Sequence, residues 1–215
     1  MIQTIAARDV TLRELKRLFG LQMTQSASFF TEWSISHASL TDTEQQTLDR
    51  VKANFADVLA DPPALENTVK LVVLASLLDL AGFYRRPSQL KTETSIEIES
   101  EDDGVTIRGR IDILVLKQRL WLLVIESKRS DFAVTRAIPQ ALAYMLSNAN
   151  GEQPTFGMIT NGSEFLFLKA IQSPEAEYAN SRLFSLVNPG NDLYEVLQVL
   201  KAVGKVIVAG VQPRE

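Results

Sequence analysis

Gly109-Arg110-Ile111-Asp112-Ile113-Leu114-Val115, followed after a short turn by Leu122-Leu123-Val124-Ile125-Glu126-Ser127-Lys128, is the stretch on which the fold of this chain turns. Both halves are runs of aliphatic and β-branched residues, and Lys117-Gln118-Arg119 supplies the turn between them. The pattern predicts strands over 105–116 and 120–127, paired as an antiparallel meander. Strict alternation would put Val105, Ile107, Ile111, Ile113 and Val115 on one face. Thr106, Arg108, Arg110, Asp112, Leu114 and Leu116 would take the other. Asp112 then sits in a strand that otherwise looks sheet-internal, where a lone carboxylate is costly unless something pairs with it. Glu126 and Lys128, two apart, share a face with Leu122 and Val124. A hairpin would bring Asp112 close to Glu126, and two neighbouring carboxylates attract a divalent cation.

Working outward, the N-terminal third reads helical. Thr41-Asp42-Thr43-Glu44 opens a helix that continues through Leu48, Val51, Phe55 and Val58. Asp61-Pro62-Pro63 stops it and starts a second helix over about 64–81, apolar nearly all round and closed by Gly82. A strand over 95–99 and a turn at Glu101-Asp102-Asp103-Gly104 precede the central pair. A helix over about 135–148 follows, with Pro139 near its first turn. Strands at 155–160 and 164–169 flank the Asn161-Gly162 turn, and a last helix covers about 192–206. This order predicts an α/β sandwich with a mixed sheet flanked by helices. It is read as one domain, residues 1–215: a helical N-terminal extension (1–60), a core (61–170) and a helical C-terminal extension (171–215).

Composition narrows the chemistry. The chain has no cysteine, which excludes thiolate metal sites and a cysteine nucleophile. Its one histidine, His37, stands among serines and reads as a surface or capping residue, which weighs against a histidine metal cluster or a Ser-His-Asp triad. Any metal must be held by oxygens, which points to magnesium, manganese or calcium; magnesium, with manganese as a substitute, is the expected cofactor. A net charge of −4 weighs against a broad DNA-binding surface. Residues 1–19 lack an unbroken apolar run, and 71–78 is too short to span a membrane, so a cytoplasmic protein is expected. Ser88-Gln89-Leu90-Lys91 fits a Ser-xx-Lys hydrolase motif, but its companion motifs are missing.

Hydrolysis of a phosphodiester uses a Lewis acid on the phosphoryl oxygens and an activated water in line with the leaving oxygen. Asp112 and Glu126 could hold the metal, and Lys128 could orient the water and balance charge. On spacing alone, Glu126 and Lys128 read equally as a strand-end ion pair. The two segments quoted first resemble the PD-(D/E)xK nuclease motif. Ile138-Pro139-Gln140-Ala141-Leu142-Ala143-Tyr144 resembles the Gln-xxx-Tyr helix of one branch, and Met158-Ile159-Thr160-Asn161-Gly162-Ser163-Glu164-Phe165 resembles its Thr-Asn-Gly hairpin. The series, over about 66–169, is similar to the N-terminal nuclease domain of the restriction subunit of type I restriction enzymes.

The resemblance implies a metal-dependent endodeoxyribonuclease with Asp112, Glu126 and Glu66 around magnesium. It gives Lys128 the attacking water, and it leans Gln140 and Tyr144 over the site. Glu66 also reads as a first-turn helix residue with Lys70 as its i+4 partner, and Gln140 and Tyr144 as the polar edge of a helix. Arg108, Arg110, Arg129 and Arg136 are candidate phosphate contacts. The chain has no phosphate-binding loop, so a stand-alone relative is expected, with modification and specificity subunits on separate chains. DNA is the expected partner, and a homodimer is one way to cut both strands. The alternative is a nuclease fold that binds nucleic acid or protein without cutting.

Overall fold

A computed structural model describes residues 3–34, 39–99, 104–117, 120–148, 151 and 153–206. The expectations for His37, for Glu101-Asp102-Asp103, for Gln118-Arg119 and for the side chain of Leu122 fall outside this set. Eight strands form one mixed sheet: β1 (Gln3–Ala6), β2 (Gln22–Met23), β3 (Ser88–Glu99), β4 (Val105–Lys117), β5 (Leu120–Ser127), β6 (Thr155–Thr160), β7 (Glu164–Ile171) and β8 (Glu177–Ser185). The order runs β1-β4-β5-β6-β7-β8-β2, with β3 on the other edge of β4. The pairs β3–β4, β4–β5, β6–β7 and β7–β8 are antiparallel, whereas β5 and β6 are parallel. Between them runs the crossover helix α5 (Ile138–Leu146), with Pro139 in its first turn.

Each face of the sheet has its own core. Against one pack α2 (Asp42–Val58), the continuous helix α3–α4 and α6 (Leu193–Val206). Against the other pack α1 (Leu12–Phe19) and α5. This is the α/β sandwich that the pattern predicts. Local chemistry sets the helix ends: Thr41 and Glu44 form a reciprocal capping box on α2, and Gly82 closes α4 in the left-handed region, φ 79°. Helix α3 (Glu66–Val69) passes through one π-type turn (Lys70–Leu74) into α4 (Ala75–Leu80). Such turns are found often at functional sites.

Three expectations are corrected. The flanks are not purely helical: residues 1–60 contribute β1 and β2, and residues 171–215 contribute β8. These strands escape a periodicity reading. β1 and β2 are short, and β8 pairs across an irregularity at Leu166/Leu168, where Ser181 Oγ takes the Phe167 N–H at 3.0 Å. β3 begins at Ser88 rather than near residue 95, because as a polar edge strand it shows little alternation. The alternation of β4 also does not run through. Ile107 and Ile111 face the α5 core together with Leu114 and Leu116, while Ile113 and Val115 face the other. The faces exchange at Asp112, opposite Glu93, which has φ 52°. β3 exchanges with it, so that Leu90 packs on one core and Ile96 on the other.

The β6–β7 turn is locked onto α2. A Cβ at Gly162, where φ is +89°, would lie 2.2 Å from the Phe55 ring. Gly162→Ala should therefore cost about 2–4 kcal/mol, combining backbone strain with overpacking. Urea unfolding of the two proteins checks this; a loss under about 1 kcal/mol would mean that the ring moves aside freely.

Candidate active site

One edge of β4 forks. Its first half pairs with β1 over Val105–Arg108, and its last five residues pair with β5 from Ile113 to Lys117. Residues 109–112 lie between, where the two neighbours diverge. One position beyond the Ile113–Ile125 pair, Asp112 and Glu126 stand opposite each other. Asp112 replaces the next ladder bond with its side chain, its Oδ2 accepting from the Ser127 backbone N–H at 2.8 Å. A cleft of about 770 Å³ opens here, lined by Glu66, Lys70, Asp112, Glu126, Lys128 and Tyr144 among others.

The sequence-predicted residues converge on this cleft from four elements. Glu66 stands in the first turn of α3. Lys128, just past the end of β5, donates to Glu126 Oε1 at 2.6 Å and to Gln140 Oε1 at 3.0 Å. Gln140 Nε2 donates to the Tyr144 hydroxyl at 2.8 Å, so the two helix residues and the lysine form one chain of bonds. Tyr144 is buried, and burial pushes its hydroxyl up to about 12, with the Glu126 charge adding to this. Gly109 is needed for that packing, since a Cβ there would lie 2.6 Å from the tyrosine ring and 2.7 Å from Ala7 Cβ. Of the arginines, Arg108 and Arg110 line the cleft, bonded to Glu97 and Glu93 at 2.7 Å each. Arg129 and Arg136 are exposed and do not line it.

Glu126 is the most constrained member. It is 3% exposed, and its Oε2 has no hydrogen-bond partner. Burial pushes its carboxyl up to about 7; Lys128 opposes the rise, and the charges of Asp112 and Glu66 add to it. An unsatisfied buried oxygen calls for a partner. Two carboxylates on adjacent strands, one with a free oxygen, suit a magnesium-type cation, which binds through one or two carboxylates and keeps several waters. Glu66 lines the same cleft, but among the described residues no three acids group closely enough to hold a metal between them.

Sequence reasoning missed several participants. Lys70 reaches past Glu66 to Asp112 Oδ1 at 2.7 Å and lies 3.6 Å from Glu93 Oε1. Burial pulls its ammonium down, but Asp112, Glu93 and Glu66 together outweigh this and hold it above the usual lysine range. The i+4 spacing pointed to Glu66 instead, because the contact with Asp112 spans 42 residues. Glu93 joins Lys70 to Arg110, and its left-handed backbone gave no sequence signal. Two ties fix the loop after β5. Ser130 exchanges two bonds with Ala64, just ahead of α3, and Asn161 Nδ2 donates to Phe132 O at 2.9 Å. The Thr-Asn-Gly turn thus supports the loop that carries Lys128, whose own N–H donates to Thr160 O at 2.8 Å.

A family model for the N terminus of type I restriction enzyme R proteins matches residues 28–176, more than two thirds of the chain. The chain belongs to this family. Its fold is accordingly restriction-endonuclease-like, of the PD-(D/E)xK nuclease type. The match begins well before residue 66, so α2 and its Phe55–Gly162 contact belong to the family's domain. A search of curated proteins finds no match. Among the described residues no helix is long and apolar enough to cross a membrane.

The raised Glu126 carboxyl makes stability depend on pH. The folded chain keeps a proton that an unfolded glutamate releases near pH 4.3, so stability should fall as pH rises from about 5 to about 8, by roughly 2–3 kcal/mol. Urea unfolding of metal-free protein should show this decline, and Glu126→Gln should flatten it. An unchanged decline in the variant would assign the effect to other groups.

Proposed function

We propose that this domain hydrolyses DNA phosphodiester bonds as a divalent-metal-dependent endonuclease. The observation that carries the reading is the buried, unpartnered Glu126 oxygen opposite Asp112, with Lys128 bonded to the same carboxylate. Asp112 and Glu126 would hold magnesium, or manganese in its place, and Glu66 would meet it through water. The cation would supply Lewis-acid polarisation of the phosphoryl group and a lowered pKa for water.

The protein's own residues do the rest. Lys128, held by Gln140 and braced through Tyr144, presents its ammonium beside Glu126, where it orients the attacking water and balances the transition-state charge. Gln140 fixes the lysine's position, and Tyr144 with its raised hydroxyl stays neutral at working pH and anchors Gln140. Lys70 neutralises Asp112 when no other cation is present, and Glu93 offers it a second acceptor when one arrives. Membership of a type I restriction family supports a role alongside modification and specificity subunits on separate chains. Cutting both strands would then use two copies or two encounters.

Plasmid nicking with magnesium or manganese, run beside calorimetric metal binding, tests the assignment. Lys128→Ala should lower nicking about 10²–10⁴-fold while metal binding persists. Glu126→Ala should lose both. Lys70→Met should bind manganese more tightly than the wild type, because a competing cation has been removed from Asp112. Wild-type protein that binds neither metal nor DNA would refute the enzyme and leave a protein-binding module. DNA binding without metal binding or cutting would favour the non-cleaving nucleic-acid module.

A further inference from the structure

The far end of the same strands and helix carries a second concavity of about 230 Å³. It lies where the turn after α4 meets the start of β3, the end of β4 and the last turn of α6. Five cations line it, Arg85, Arg86, Lys117, Lys201 and Lys205, and no acidic residue does. In a chain of net charge −4 this is a local reversal of sign.

Two of the five are already engaged. Lys117 is buried and donates to Gly204 O at 2.5 Å, a cation set against the C-terminal end of α6. Lys201 bonds Glu44. Arg85, Arg86 and Lys205 are exposed, and none has an ion-pair partner among the described residues. Like charges held together without a counter-charge favour an anion between them.

Two independent paths give the separation from the cleft. Asp112 and Lys117 are five residues apart on β4, about 17 Å at strand rise. Lys70 and Ala81 are eleven residues apart along α3–α4, again about 17 Å at helical rise. A full turn of duplex advances about 34 Å, so a site about 17 Å along the same face meets phosphates of the opposite strand across a groove rather than the cleaved strand again.

We propose that this pocket is a second phosphate site, gripping the backbone of the DNA whose cleaved phosphate lies in the Asp112–Glu126 cleft; it rests on the nuclease reading. Arg85, Arg86 and Lys205 make the contacts, and Lys117, held on the Gly204 carbonyl, adds its charge from behind, while Lys201 is neutralised by Glu44. The site positions substrate and does no chemistry.

The test is anisotropy binding of a labelled duplex of about 20 base pairs in calcium, repeated over a range of salt concentrations. Arg85→Ala/Arg86→Ala/Lys205→Ala should bind about tenfold or more weakly, with the salt slope reduced by about two to three, near 0.9 per lost phosphate contact. Calcium binding should be unchanged. Arg85→Lys/Arg86→Lys should keep most of the slope, since charge is what counts. If the triple variant does not fold, Arg85→Ala/Arg86→Ala serves with a proportionally smaller loss. Wild-type binding with an unaltered slope in the variants overturns this proposal alone. Tight inorganic pyrophosphate binding that leaves the duplex in place overturns it too, because the pocket then serves a free phosphate compound. Wild-type protein that binds no duplex overturns the nuclease reading and this inference together.

Discussion

The carboxylate of Asp112 accepts the Ser127 N–H at one oxygen and the Lys70 ammonium at the other. Much of the site's geometry depends on that pair of bonds. The first occupies the place of a ladder bond at the point where β5 leaves β4, so the strands separate without orphaning a backbone donor. The second draws the start of the α3–α4 helix down onto the sheet edge. A carboxylate in a strand core would ordinarily be a liability; here it is the device that opens the fork and holds both sides of it.

The cleft consequently draws on both layers. Glu66 and Lys70 come from the helix on one face, and Gln140 and Tyr144 from the helix on the other. Unbroken sheet would keep the two groups apart. The exchange of faces at Asp112 and Glu93 is the twist that lets β3 and β4 follow the opening together. Gly109 then admits the Tyr144 ring where any side chain would block it. Support comes from a further shell, in which Ser130 ties the loop after β5 to the residue ahead of α3, and Asn161 holds the same loop from the β6–β7 turn. Both sides of the site are thereby referenced to one short loop.

Electrostatically the cleft is balanced within itself. Lys70 and Lys128 each sit on one of the two strand carboxylates, at 2.7 and 2.6 Å. The balance is uneven, because Glu126 is buried more deeply and retains an unpartnered oxygen. This asymmetry separates the two acids in character: Asp112 is fully bonded, while Glu126 is held back from ionising by burial. Pairs of carboxylates with environments of this kind are typical of sites that divide tasks between them.

Sequence by itself determined the strands that carry Asp112, Glu126 and Lys128, the spacing that puts Gln140 and Tyr144 on one helical turn, and the Thr160-Asn161-Gly162 turn. These are short-range properties: periodicity, turn chemistry and i+4 geometry are all written within a few residues. Tertiary structure alone decided the rest. Lys70 finds Asp112 across 42 residues, and the competing local reading as Glu66's partner was the one that spacing offered. The alternation of β4 fails at Asp112 because a twist shared with β3 overrides period 2, and no pattern in either strand announces it. β1 and β8 entered the sheet unseen. Neighbours rather than alternation make them strands, and pairing between distant segments is a property of the packed chain, not of any window along it.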